Sequence, residues 1–187
     1  IVVGAWQHYD VEGVNYLMAA SADTVALLSA DAWAAYAYAS GTSNNPPTGG
    51  PTNLMFAATS YLTRRDLNIT VFTNGVDPLY CTAGPTDANY STLTGSPIGA
   101  DVCAFQNRIV AWNCAVLNSN ARYITRAQWC TAGGPEDWTG IGSGYEDLVD
   151  MRGTGTRIFS QEDRMVLGTT EEIWGGRAVG LPFVHQF

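Results

Sequence analysis

The sequence predicts an α+β fold: one domain, residues 1–187, with about three helices, one of them central and buried, against a mainly antiparallel sheet, tied by two disulfides. Three observations carry this. Apolar residues recur at steps of three and four in the first two thirds of the chain, the tail is rich in β-branched residues and turn signals, and four cysteines stand at spacings that do not suit a metal ribbon.

The elements follow in order. Ile1 to Tyr9 reads as a strand, β-branched at its start. Thr24 to Ala39 reads as a helix on the spacing of Val25, Leu28, Ala32, Ala35 and Ala39, with Gly41 just past its end. Residues 41–52 hold Pro46-Pro47 and Gly49-Gly50 and read as a loop. Asn53 caps a second expected helix, with Leu54, Ala57, Ala58, Tyr61 and Leu62 on its buried face and Arg64-Arg65 in its last turn. A strand is expected from Asn68 to Thr73, then a hairpin at Asn74-Gly75 and an edge strand containing Pro78. The third helix spans 97–118: Ser96 is its cap, Pro97 its first residue, and Val102, Phe105, Ile109, Trp112 and Val116 form one apolar row. Cys103, Val110, Cys114 and Leu117 form a second row, an arc wide enough for a helix buried on two sides. Arg122 to Trp129 fits strand or helix. Thr156 to Ser160, Arg164 to Thr170 and Arg177 to Phe187 read as antiparallel strands, with Gly175-Gly176 as a turn or bulge. No repeat of fixed period is visible.

Cys81, Cys103, Cys114 and Cys130 allow three pairings. On the expected helix, Cys103 and Cys114 lie about 16 Å apart, beyond the reach of a disulfide. This leaves 81–103 with 114–130, the favoured set, or 81–114 with 103–130. Two disulfides place the chain in an oxidising compartment, secreted or on an extracellular surface. The start at Ile1 without Met suits a mature end left by signal-peptide removal. The sequons at Asn68 and Asn89 suit glycosylation there.

Composition excludes some partners. Net charge is -8 and all nine basic residues are Arg, so there is no basic patch for a nucleic acid to bind. No apolar run is long enough for a membrane-spanning helix.

Three constellations could carry chemistry, and two more fall away on inspection. His8, Asp10 and Glu12 would make a general base with carboxylates nearby, joined by His185 if the terminal strands are neighbours. Asp137, Glu146, Asp147 and Asp150, with Glu136, lie in a glycine-rich stretch whose carboxylates and carbonyls would suit Ca²⁺; no other cofactor is expected. Glu171-Glu172, after Thr169-Thr170, resembles the catalytic glutamate of ADP-ribosylating toxins. That resemblance implies a catalytic glutamate with His8 as the early-strand partner, but the Ser-Thr-Ser or paired-tyrosine motif is missing. Ile1-Val2-Val3-Gly4 resembles the new N-terminus of an activated trypsin-like protease, and the absence of that family's histidine and serine motifs excludes it. Gly140-Ile141-Gly142-Ser143-Gly144 lacks the lysine of a phosphate-binding loop and reads as a flexible loop.

Three functions follow as expectations. The first is a structural subunit of an extracellular assembly (filament, surface layer or virion shell), binding copies of itself through Ile1, Val2, Val3 and Trp6 as an intermolecular strand. The second is a secreted enzyme or toxin domain, a hydrolase or ADP-ribosyltransferase, built on His8, Asp10, Glu171 and Glu172. The third is a module using its aromatic residues to bind glycans or proteins.

Overall fold

The fold is all-β, not α+β. The structure, a computed structural model, describes residues 4–10, 12–20, 25–29, 31–38, 57–62, 68–82, 89–116, 119, 121–179 and 185–187, and no helix occurs among them. Among the described residues sixteen strands run in chain order: β1 Gly4–Tyr9, β2 Asn15–Ala20, β3 Val25–Ser29, β4 Ala32–Tyr38, β5 Ala57–Leu62, β6 Asn68–Thr73, β7 Tyr80–Thr82, β8 Asn89–Thr92, β9 Ile98–Phe105, β10 Arg108–Ala115, β11 Arg122–Trp129, β12 Gly144–Asp147, β13 Gly155–Gln161, β14 Arg164–Thr169, β15 Ile173–Ala178 and β16 His185–Gln186. Each successive group of four pairs antiparallel with its chain neighbours. The four sheets are arranged as a four-bladed β-propeller. A two-residue parallel pairing, Ala37 with Asn89 and Tyr38 with Tyr90, joins the outer strands of blades 1 and 2.

All three expected helices are strands, for identifiable reasons. Within the span read as the central helix, β9 and β10 form a tight hairpin in which Phe105 faces Arg108 across Gln106 and Asn107. These two residues have φ of 47° and 58°, the left-handed pair that a two-residue hairpin of matching twist requires. Both faces of β9 and β10 are buried between neighbouring blades, so apolar residues fill nearly every position and supply matches to any period. The span read as the first helix reverses between Ser29 and Ala32, with Asp31 at φ 65°. The second contains β5. Asn68–Thr73 is a strand at the expected positions. β7, expected at an edge, lies between β6 and β8, and Pro78 stays in the loop before it. Gly175 and Gly176 lie inside β15 rather than at a turn.

The register assigns each blade two faces. Trp6, Met18 and Leu27 of blade 1 pack against Phe72, Tyr80 and Tyr90 of blade 2. The other face of blade 2, with Ile69, Val71 and Leu79, packs against Val102, Ile109 and Ala111 of blade 3. The far face of blade 3, with Val110, Trp112, Ala127 and Trp129, meets Ile158, Met165 and Leu167 of blade 4. A β-bulge in the β10–β11 pairing, with its extra residues on β11, and Asn113 at φ 53° let Trp112 and Cys114 serve opposite faces although they are two residues apart. Blades 3 and 4 are also pinned by Asp101, whose Oδ2 accepts the Ile158 N–H at 2.9 Å. Trp112 Nε1 donates to the Gly168 carbonyl at 3.0 Å, and Asn113 Nδ2 to the Gly155 carbonyl at 2.8 Å. Among the described residues no apolar cluster joins blade 4 to blade 1.

The two expected disulfides are absent: no disulfide joins any of the four cysteines. The geometry that had paired them assumed a helix. Cys103 faces Val110 across the hairpin and turns toward blade 4, whereas Cys81, Cys114 and Cys130 belong to the cluster between blades 2 and 3. Cys114 and Cys130 lie near opposite ends of the β10–β11 ladder, because Cys114 faces Tyr123 while the Cys130 N–H bonds the Ile109 carbonyl. Burial raises the thiol pKa to about 12 at Cys114 and about 11 at Cys130.

Candidate functional site

The two histidines do not meet. β1 pairs with β2, and β16 with β15, so the terminal strands are not neighbours. His8 is fully buried where blade 1 meets blade 2, its Nδ1 2.8 Å from Thr70 Oγ1 and its Nε2 without a partner. Burial lowers its pKa, partly offset by the charge of Asp10. Asp10 caps the β1–β2 connection, accepting the Val14 N–H at 2.8 Å and the Tyr16 hydroxyl at 3.2 Å, and Glu12 is exposed. His185 is buried between blades 3 and 4, edge-on to Trp129 with ring centroids 4.7 Å apart and beside Phe105 at 5.7 Å. Both of its ring nitrogens are unpartnered. Burial, with the nearby Arg108, pulls its pKa down to about 4.

The late glutamates serve the turn between β14 and β15. Glu172 accepts Arg152 Nε at 2.5 Å, the Arg152 N–H at 3.1 Å and Trp174 Nε1 at 3.1 Å, and these bonds hold its carboxyl below the usual range. Glu171 is exposed. His8 belongs to blade 1 and both glutamates to blade 4, and no described contact joins them. The general base and catalytic glutamate expected of an enzyme therefore stay apart.

The acidic stretch is also dispersed. Asp137 Oδ1 accepts the N–H groups of Thr139 and Gly140, at 3.2 and 2.8 Å. Asp147 is chelated by Arg126 through two bonds of 2.7 Å, while Glu146 and Asp150 are exposed. No group of three or more histidine, cysteine or acidic residues among those described is placed to hold a metal ion. At the sequons, the Asn68 side-chain nitrogen, where a glycan would attach, donates to the Tyr9 carbonyl. Asn89 opens β8 in register with Ala37. Of the expected assembly strand, Ile1, Val2 and Val3 lie outside the described residues, and Trp6 packs inward on Phe72 with centroids 5.6 Å apart.

Two features have no counterpart in the sequence reading. The Arg126 guanidinium lies between the rings of Tyr123 and Tyr145, at 3.6 and 4.0 Å from their centroids, and Asp147 completes the cage. These residues come from two strands and depend on the irregular register beside the bulge, which no local spacing reveals. A hollow of about 610 Å³ opens between blades 3 and 4, where Trp174, His185 and Phe187 supply apolar wall and Glu146 and Asp150 supply charge. The only local signal was the density of acidic residues after Gly144. Neither models of known protein families nor curated proteins give a match to this chain.

Proposed function

We propose that this chain is a structural subunit of an assembly, such as a filament, a surface layer or a virion shell. The observation that carries the reading is its exposed apolar surface. Ile141 and Val149 stand almost wholly in solvent, and Ile173, Trp33, Phe159, Tyr145 and Leu17 are more than two fifths exposed. Large apolar side chains left this open are candidates for burial against a partner.

The groups expected to support catalysis are held in different blades, His8 in blade 1, His185 between blades 3 and 4 and Glu171 and Glu172 in blade 4, which favours assembly over an enzyme. Trp112, Trp129 and Trp138, which a binding module would have used, are buried. Without disulfides the inference to an oxidising compartment loses its main support, and the proposal concerns assembly alone. Light scattering on the native protein tests it. The expected result is a mass that grows with concentration well above the 20.0 kDa of one chain. A mass that stays at one chain throughout overturns the reading.

A further inference from the structure

The hollow between blades 3 and 4 measures about 610 Å³, within the range of about 300–1,000 Å³ usual for small-molecule sites. Both blades build it. Blade 4 contributes Trp174 from β15, His185 from β16 and Phe187 just beyond, and blade 3 contributes Glu146 from β12 with Leu148 and Asp150 after it. The aromatic wall is held in place. Trp174 Nε1 donates to Glu172 at 3.1 Å, and the Phe187 ring sits so close to β15 that a Cβ at Gly176 would lie 2.8 Å from its Cδ1.

The charge of the hollow is of one sign. Glu146, Asp147 and Asp150 line it, and no arginine among the described residues does. Asp147 is committed to Arg126 by its two bonds of 2.7 Å, and the other nearby cation, Arg108, donates to the Gly142 carbonyl at 3.2 Å. Glu146 and Asp150 are exposed, and among the described residues no ion pair engages them. A second observation is independent of these carboxylates. His185 borders the hollow, is only 8% exposed, and has no partner in the protein for either ring nitrogen. Buried polar groups are ordinarily satisfied. With its pKa lowered to about 4 by burial, the ring is neutral at pH 7, so one nitrogen is a free acceptor. An ammonium group is a donor that carboxylates and this nitrogen all accept.

We propose that this hollow is a binding site for a small organic amine, its protonated nitrogen drawn by Glu146, Asp150 and His185 and its flat apolar body laid against Trp174 and Phe187. The inference goes beyond the assembly reading and does not depend on it. An anion would meet two uncommitted carboxylates and no cationic side chain in the wall. A bare metal ion would lack ligands, since no group of three or more suitable side chains is gathered among the described residues. An organic cation answers both the charge and the aromatic wall.

Saturation-transfer NMR at neutral pH, with naphthylethylamine as the probe, tests the site. It observes the small molecule and serves single chains and assemblies alike, so its outcome is separate from that of light scattering. The expected result is saturable binding with a dissociation constant of about 1 mM or tighter. Naphthylethanol, of the same shape without the charge, should bind several-fold more weakly. The double variant Glu146→Gln, Asp150→Asn changes two exposed positions and is checked for wild-type circular dichroism. It should weaken the amine on the order of tenfold and leave the alcohol unchanged. His185→Phe, which keeps a ring and removes both nitrogens, should also weaken the amine. No saturable binding overturns the proposal. Equal binding of amine and alcohol overturns it as well, and so does amine binding that the double variant leaves unchanged, which would lie elsewhere on the surface.

Discussion

At the scale of single residues, the most informative groups are the two imidazoles. A neutral histidine held inside the fold takes up its proton more readily once unfolded. For His185 the folded pKa of about 4 lies below the ordinary 6.5. Between these values the unfolded chain binds a proton that the fold refuses. Its contribution is therefore fully present above pH 6.5 and is lost as pH falls toward 4, a loss of up to about 3 kcal/mol. His8, lowered by burial as well, acts in the same direction. Urea unfolding at neutral pH and at the acid end of this window should show the loss in wild type and a clearly smaller one in His185→Phe. An equal loss in both would remove His185 as its source. The sequence marked both histidines as the only imidazoles but could not show their surroundings. Thr70 comes to His8, and Phe105 and Trp129 come to His185, from other blades.

At the scale of elements, strands were legible where one face alone is buried or a turn punctuates the chain. Asn68–Thr73 and the pair β13 and β14, closed by Glu162-Asp163, fell near their expected positions. Sequence misleads where strands are sandwiched and no familiar turn follows: β6 buries both faces too but is marked by Asn74-Gly75, whereas the apolar residues of β9 and β10 satisfy a helical template equally well. The turn at Gln106-Asn107 was the discriminating signal, and it lacks the glycine that usually announces such hairpins. The junction of blades 3 and 4 offers a matched test of packing. A Cβ at Gly155 would lie 2.6 Å from both the Ile124 carbonyl oxygen and Trp112 Nε1. Gly155→Ala should therefore cost about 1–3 kcal/mol by overpacking, read from the urea midpoint. Gly175→Ala, facing open space, should leave that midpoint nearly unchanged. Equal effects at the two positions would argue against the close approach of β13 to β10.

At the scale of the molecule, the propeller was hidden because its blades begin at unequal intervals, at Gly4, Ala57, Ile98 and Gly155, so no fixed period appears. The cysteines then pointed the wrong way: four of them in a chain without lysine suggested a stapled secreted domain, whereas here they pack as small apolar side chains. This has a direct readout. In denaturant without reductant, four thiols per chain should react with a colorimetric disulfide reagent, and in the native protein Cys103, Cys114 and Cys130 should react slowly, being buried and protonated. Zero thiols in denaturant would restore the disulfide framework.

The blades are meanders in which every antiparallel partner is the next segment of chain. Such wiring suits vectorial folding during synthesis. As each group of four strands leaves the ribosome it can close its own ladder without waiting for distant sequence, then offer one apolar face to the next group to emerge. The order of translation and the order of packing then coincide, from β1 to β16.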